Sequence, residues 1–546
     1  MAKMTTITEK QSLMRTVEKL IAGHMLCYSK QDRKYILLGL DVISEFKITV
    51  DVKSSHISIE QFQNLLSKIN EKEQRRRDEG VYYTPKDITE YIAANSYLFY
   101  LLPNVNQVHS VTRCLSFISR ASNEKLLRAK VFDPTCGTAE FLLSALQLKL
   151  KIFKVFNNDK EILKVTSTIY GNDIAEESIL LSKIRIFFAI VNLLKDKKNA
   201  LQLGKILNKN FGNGDFVINP CVKPCFEIIL GNPPYVEYGK LQIIPSTNFG
   251  NTYADVLKNS IESLKQGGVI GFIIPLSFVS TPRMKGIRSY VCSKLTRLFA
   301  LNFADRPDCL FEGVHQKLTL LFGQKGNGGC NVYSSSYYHW YNDERYDLLN
   351  KAKIVSVVPE DSYIPKIGTK YELSIFNKIL DIKGETLPKI SKETVKETSI
   401  FLNMRGCFWM KAFSFNPGSN EYKRFYCPNY LQPYLLAVLN STIFFLFWTI
   451  VSDCWHITGK ELNGFKIPIS DVKFDAFRQL VINLERRLEE TKKYVGSKQT
   501  LFEYKHRDCK NEIDKIDKAL QGIYHLTDKE LSFLKDFKLR YRMSNG

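Results

Sequence analysis

Val131-Phe132-Asp133-Pro134-Thr135-Cys136-Gly137-Thr138-Ala139-Glu140-Phe141-Leu142 reads as a strand, a tight turn and the start of a helix. The small residues at 135–139 let a ligand approach the backbone, and the helix start beyond offers N–H groups to a carboxylate. A second strand-end acid follows in Tyr170-Gly171-Asn172-Asp173-Ile174, ahead of a helix expected over 176–194. An acid at the tip of the second strand of such a unit can hold the two hydroxyls of a ribose. A third strand end, Gly212-Asn213-Gly214-Asp215-Phe216, offers an acid and a ring to an adenine, by its amine and its face. Strands alternating with helices predict a doubly wound α/β domain, and the three strand ends together describe a site for an adenosyl amino acid.

A fourth strand, Phe226 to Leu230, runs into Gly231-Asn232-Pro233-Pro234-Tyr235. Asn232 can accept through its side-chain oxygen, and Pro233, which has no N–H, leaves a carbonyl to accept a second bond. Two acceptors aimed at one planar NH2 group free its nitrogen lone pair for alkylation, while Tyr235 can lie against a heteroaromatic ring. Asn-Pro also favours turns, so a plain turn after a strand is the alternative.

At 546 residues the chain should form two or three domains, and 44% hydrophobic with 24% charged residues suits a globular protein with ample core. A net charge of +21 favours a polyanionic partner over an acidic small molecule. Twelve cysteines in this length exclude a disulfide scaffold, and Met1 to Lys10 lacks the apolar core of a signal peptide, so the expected compartment is the cytoplasm. Cys221 and Cys225 have no second Cys or His pair at zinc spacing; they read as ordinary thiols, and no metal site is expected. Tyr434 to Val451 is apolar but interrupted by Asn440-Ser441-Thr442, which favours a buried helix over a membrane span.

Residues 1–79 read as an N-terminal helical extension. Asp41, Glu45 and Lys47 within it crowd too closely for the strand-separated carboxylates of a metal-dependent nuclease. Gly80 to Ala93 is a polar turn leading into an amphipathic helix, with Pro85 near its first position. Tyr253 opens a helix expected to end at Gln266-Gly267-Gly268, and Val269 to Pro275 reads as a strand. The glycine-rich segment 323–329 is the expected boundary between a domain over 80–329 and a second over 330–546. In the second, Asn403 to Tyr430 interleaves Arg405, Lys411, Lys423 and Arg424 with seven aromatic residues from Phe408 to Tyr426. Such a pattern suits either a nucleic-acid surface or half-buried strands. A helix over 434–448 and a helical tail over 474–493 and 510–520 follow, with too few heptads for a dimer seam.

Tyr-Thr-Pro at 83–85, Asp-Pro-Thr-Cys-Gly at 133–137, the acid Asp173, Gly-Asp-Phe at 214–216 and Asn-Pro-Pro-Tyr at 232–235 stand in one order. That order resembles the gamma group of the amino-methyltransferases of restriction-modification systems, which methylate N6 of adenine in DNA. The match is strong over 80–325 and looser to the C-terminus. It implies a doubly wound S-adenosylmethionine-dependent methyltransferase domain followed by a mixed α/β target recognition domain. It implies S-adenosyl-L-methionine as cofactor, with Tyr83, Thr84 and Pro85 at its methionine end, Asp133 and Gly137 beside it, Asp173 on the ribose, and Asp215 and Phe216 on the adenine. Asn232, Pro233, Pro234 and Tyr235 become the catalytic loop, Tyr235 and Phe311 the rings that stack on an extruded base, and Arg405, Lys423 and Arg424 candidate DNA contacts. The implied partner is double-stranded DNA, with a separate restriction endonuclease as a candidate second partner; no membrane is involved, and a monomer is expected. Two departures stand out. Ala139 occupies a position where the group has glycine, and the long interval from Asp133 to Asp173 suggests a loop inserted around 151–164. Methylation of RNA adenine or of protein glutamine, and a catalytically inactive DNA binder, are the competing functions.

Overall fold

The computed structural model describes residues 84–121, 124–155, 158–191, 193–196, 199–220, 223–240, 249–311, 313–496 and 501–543. Asp41, Glu45, Lys47, Tyr83 and Cys221 lie outside the described residues.

The large sheet has the order β3-β2-β1-β4-β5-β7-β6-β8-β9. Its strands are β1 (Val131–Asp133), β2 (Ile169–Asp173), β3 (Phe211–Asn213), β4 (Phe226–Gly231), β5 (Leu264–Pro275), β6 (Leu295–Phe303), β7 (Leu318–Lys325), β8 (Asn331–Tyr338) and β9 (Ile354–Val357). β1 pairs in parallel with β2 and β4, as do β2 with β3 and β4 with β5. A parallel sheet covered on both faces needs strands that are apolar throughout. Ile228, Ile229, Leu230, Val269, Ile270 and Phe272 supply that and are fully buried. Strand order reverses at β1, whose neighbours β2 and β4 leave in opposite directions, and the crevice beyond the carboxyl ends of such strands is where open α/β sheets bind ligands. The expected doubly wound α/β fold is therefore present.

The chain divides into two compact units, one of Met1–Ile274, Ser289–Leu298 and Leu320–Cys330, the other of Pro275–Arg288, Phe299–Thr319 and Asn331–Gly546. In the first unit, the extra length between Asp133 and Asp173 is helical where a loop was expected. Helix Glu140–Phe153 is followed by helix Asp159–Thr166, started by Asn158, whose side chain accepts from the Glu161 N–H at 3.3 Å. Helix Thr252–Ser263 ends earlier than expected, because β5 already begins at Leu264 and carries Gln266-Gly267-Gly268 within it. Gly323 likewise lies inside β7.

In the second unit, β10 (Thr398–Asn403) forms an antiparallel sheet with β11 (Ala412–Phe413) on one side and β12 (Tyr422–Cys427) on the other. The single helix expected over 434–448 is two, Gln432–Asn440 and Thr442–Val451, bent by 56° at Ser441. Ser441 takes an extended conformation and accepts from the Phe444 N–H at 3.2 Å, capping the second helix. Asn440 turns aside to β11, donating to the Ala412 carbonyl at 2.8 Å and accepting from its N–H at 3.1 Å. Every residue of Thr442–Val451 is buried, and among the described residues no single helix is long and apolar enough to cross a membrane.

The carboxyl end of that apolar helix is met by three ammonium groups. Lys366 Nζ donates to the carbonyls of Ile450 at 2.9 Å and Ser452 at 2.5 Å, Lys460 to that of Val451, and Lys317 to those of Asp453 and Cys454 at 3.1 and 3.0 Å. Cations at this end satisfy orphan carbonyls and oppose the helix dipole. The cost of desolvation falls on Lys366, whose ammonium is pushed down to about 8 by burial.

Candidate functional site

The crevice at the ends of β1, β2 and β3 is built by side chains that fasten its loops to one another. Asp133, 1% exposed, accepts from the Thr135 N–H at 3.0 Å, and burial pushes its carboxyl well above the usual range. The following turn requires left-handed backbone twice, at Gly137 (φ +51°) and at Ala139 (φ +65°). Asp173 accepts from the Gly137 N–H at 2.8 Å and the Ala175 N–H at 2.9 Å; burial raises its carboxyl, and the two backbone bonds oppose that rise. Asn172 donates to the carbonyls of Pro134 at 3.0 Å and Gly214 at 2.9 Å, joining the turns after β1 and β3.

The outer side of the Gly137 turn is held from helix Glu176–Val191. Ser182 donates to the Gly137 carbonyl at 2.7 Å, and Arg185 donates to the Thr138 carbonyl at 2.8 Å while pairing with Glu140 at 2.7 Å. Asn172, Ser182 and Arg185 were not among the candidates read from sequence. A polar residue beside a strand-end acid or inside a helix carries no pattern that marks it as a tie.

Asp215 accepts from the N–H groups of Val217 at 2.8 Å and Ile218 at 3.3 Å, which folds the turn after β3. Phe216 is 6% exposed and meets Phe132 edge-on at 5.6 Å. Beside Gly137, a methyl group built on the backbone would meet nothing within 4 Å. There is thus open space against a turn of small residues, flanked by Asp133 and Asp173, and those residues fit an adenosyl amino acid.

The loop after β4 starts at Gly231, where an added Cβ would lie 2.8 Å from Asp133 Oδ1. A larger residue here would have to displace the Asp133 carboxyl or the start of the loop. Asn232 Nδ2 donates to Thr84 Oγ1 at 3.1 Å, and the Tyr235 hydroxyl donates to Asn232 Oδ1. The same hydroxyl lies 3.0 Å from the Ile273 carbonyl, and the Tyr235 ring stands edge-on to Tyr253 at 6.3 Å. Pro233 is buried, and among the described residues its carbonyl accepts no hydrogen bond. The Pro234 carbonyl accepts from the Thr252 hydroxyl, which itself accepts from the Val236 N–H at 3.1 Å. The loop is therefore anchored to the start of helix Thr252–Ser263 on one side and to Thr84, just ahead of helix Lys86–Leu101, on the other.

In the second unit, Phe311 is 2% exposed and its carbonyl accepts from the Val314 N–H at 3.0 Å. Arg405 pairs with Glu421 at 2.9 Å. Lys423 and Arg424 are exposed on β12, where the Arg424 guanidinium donates to Ser399 Oγ at 2.7 Å and lies 4.7 Å from the Tyr426 ring. Of the interleaved aromatics, Trp409, Phe413 and Phe425 face the core, being 8%, 0% and 5% exposed. Among the described residues no group of three or more His, Cys, Asp or Glu side chains could hold a metal ion.

Residues 167–305 match the family model of the Eco57I restriction-modification methylase. The chain is 24% identical over 220 residues to a protein of Methanocaldococcus jannaschii named as a type II restriction enzyme and methyltransferase, RM.MjaORFECS2P, covering 34% of this chain and 18% of that one. It is 23% identical over 393 residues to the type II restriction enzyme and methyltransferase RM.Eco57I of Escherichia coli, covering 62% and 36%. The chain thus spans less than two fifths of the length of either relative. In fold it is similar to the Type IIL restriction-modification enzyme MmeI solved in complex with DNA, with a TM-score of 0.50 at 13% identity, covering 90% of this chain and 82% of that one. The resemblance to restriction-modification methylases, read from the motif order, holds in these matches, each of which covers part of the chain.

Proposed function

We propose that this chain transfers a methyl group from S-adenosylmethionine to N6 of an adenine swung out of double-stranded DNA, as the modification component of a restriction-modification system. The observation that carries the reading is the pair of acceptors at the end of β4: the Asn232 amide oxygen, held by its neighbours, and the Pro233 carbonyl, which accepts no bond from the described residues. When bound, the cofactor supplies an electrophilic methyl on a sulfonium. Thr84 and Pro85, with Tyr83 before them, take its methionine end, Asp133 and Gly137 lie alongside, Asp173 takes the ribose, and Asp215 with Phe216 takes the adenine.

The adenine amine is a poor nucleophile because its lone pair is delocalised into the ring. Two acceptors on its N–H bonds draw the nitrogen towards tetrahedral geometry and localise that pair, so it attacks without prior deprotonation and its proton leaves afterwards. No strong base is required of the loop. Swinging the base out costs a few kcal/mol of unstacking. Stacking on Tyr235, at about 1–3 kcal/mol per base, offsets much of that. Lys423 and Arg424, with Arg405, contact phosphates, in keeping with a net charge of +21. Cleavage of unmodified DNA falls to a separate endonuclease in this reading, and the chain acts as a monomer.

The test incubates the purified chain with methyl-labelled cofactor and, separately, adenine-containing duplex DNA, RNA and protein, and identifies the product by mass spectrometry. N6-methyladenine in the duplex is the expected product. Label in RNA or in a protein glutamine, or cofactor binding without transfer to any of the three, overturns the assignment.

A further inference from the structure

In the second unit, a cavity of about 20 Å³ is bordered by Asp305, Arg306, Lys317, His339, Thr449 and Trp455. It has room for one oxygen-sized group and none for a base. Four donors beside it are unspent. The Arg306 guanidinium is exposed and lies 5.3 Å from the centroid of the Trp455 ring, and among the described residues it makes no hydrogen bond or ion pair. Lys317 Nζ spends two of its three N–H groups on the carbonyls of Asp453 and Cys454, and lies 5.1 Å from the same indole. His339 Nδ1 accepts from Lys538 Nζ at 2.9 Å. Burial, with Lys538 and Lys317 nearby, holds the ring well below its usual range, so it is neutral with its proton on Nε2, which has no acceptor among the described residues. The hydroxyl of Thr449, a residue 2% exposed, has no partner there either. Buried donors are normally paired, so this set marks the place of an acceptor. Against the two cations stands one bordering carboxylate, that of Asp305, which leaves the surroundings positive. A water would take up two of the donors and none of the charge; an anionic phosphate oxygen answers both.

We infer that this cavity seats an oxygen of a DNA backbone phosphate, held by Arg306 and Lys317 beside the Trp455 ring. What favours DNA over a free phosphate is the neighbouring chain. The Gly406 N–H donates to the Trp455 carbonyl at 3.0 Å and the Ile457 N–H to the Met404 carbonyl at 2.8 Å, so Arg405 runs alongside the segment that carries the indole. A polyanion with charges in series can engage both places; a single anion cannot. The inference rests on the reading of the chain as one that acts on duplex DNA, and it adds a phosphate contact apart from β12.

Phenylglyoxal, which adds to exposed arginines, tests this on the full chain, with modification of each arginine peptide read by mass spectrometry. The chain is treated alone, with an adenine-containing duplex, and with inorganic phosphate at the same total phosphate concentration. The duplex should protect Arg306 and inorganic phosphate should not. In a salt series, Arg306→Ala should flatten the log–log slope of duplex affinity by about 0.9, the share of one phosphate, while Arg306→Lys keeps the cation and the slope. Thr449→Val is nearly isosteric and loses an unsatisfied hydroxyl, so it should fold like the parent yet bind duplex about tenfold more weakly, the effect of one hydrogen bond to a charged group. Equal protection by inorganic phosphate assigns the cavity to a free anion and overturns the inference. An unprotected Arg306, an unchanged slope in the alanine variant, or parental affinity in the valine variant overturns it as well. A chain that binds no duplex at all sinks the functional reading along with the inference, whereas one that binds duplex and leaves Arg306 unprotected sinks the inference alone.

Discussion

Asp173 Oδ2 accepts from the Gly137 backbone N–H at 2.8 Å, so the carboxylate at the end of β2 holds the turn that follows β1. Asp173→Ala removes the acceptor for two backbone N–H groups and the proposed ribose ligand together. Cofactor affinity should fall at least about tenfold, whereas Asp173→Asn, which keeps one acceptor oxygen, should lose less. Calorimetric titration with S-adenosylmethionine checks this; parental affinity in the alanine variant would remove Asp173 from the ribose.

Ala139 stands where the resembled group has glycine. Its φ of +65° shows that conformation, more than space, sets the cost. A left-handed residue with a Cβ is strained, and glycine relieves it at some entropic expense in the unfolded chain. Ala139→Gly should therefore stabilise the first unit by about 1 kcal/mol, raising its melting temperature by roughly 2–4 °C. Calorimetric scanning of parent and variant reads the shift, and a lower melting temperature would refute it.

At Gly231 an added Cβ would sit 2.8 Å from Asp133 Oδ1 and 3.3 Å from the Phe272 ring. Gly231→Ala forces either the buried carboxyl or the start of the loop to move, at about 1–3 kcal/mol for overpacking. Both cofactor affinity and methyl transfer should drop. Asn232→Ala, in contrast, should keep cofactor binding and lose roughly 10²- to 10³-fold in rate. Comparing binding and single-turnover rates of the two variants distinguishes displaced geometry from a missing acceptor.

Lys149 is fully buried in helix Glu140–Phe153 and donates to the Ala129 carbonyl at 2.5 Å and Thr168 Oγ1 at 2.9 Å. Burial pushes its ammonium down to about 7, against a weaker opposing pull from Glu227. Between pH 7 and its ordinary value of 10.5, the unfolded chain keeps a proton that the folded chain has released. The unfolded state then binds more protons, so this group adds stability as pH rises through that window and adds least below it. The Lys149→Met variant should lose this rise. Urea unfolding at about pH 6 and pH 9 should show the parent gaining on the variant at the higher pH; parallel profiles would contradict it.

Affinity for duplex DNA should fall as salt rises, with a log–log slope of about −0.9 per phosphate neutralised. Lys423→Ala and Arg424→Ala should each flatten the slope by about that amount. Arg405→Ala should do less, because Arg405 already pairs with Glu421 at 2.9 Å. Fluorescence titrations across a salt series give the slopes, and unchanged slopes would take β12 out of the interface.

The strand ends and the loop after β4 were legible because each pairs an apolar run with small or turn-forming residues, a signal local in sequence. The sites of Asp133, Asp173 and Asp215 could be read that way. The ties between them could not, since Asn172, Ser182 and Arg185 act on turns distant in the chain. The helix break at Ser441 was legible in principle, as Asn440 and Ser441 are both turn and cap formers, but the length of the apolar run outweighed them. The helix Asp159–Thr166 was missed for a related reason: charged residues at its surface hid the cap at Asn158. The aromatic and basic pattern over 403–430 could not be resolved by sequence at all, because a strand residue facing the core and one facing water differ only in register.

Lys366 carries a consequence of a different kind. Its amine is fully enclosed and bonded to the carbonyls of Ile450 and Ser452, so no acylating reagent can touch it in the closed fold. Reagent can reach it only when the carboxyl end of helix Thr442–Val451 comes away from it. The rate at which Lys366 is acylated, read peptide by peptide against the exposed lysines, is thus a clock for local opening of the second unit.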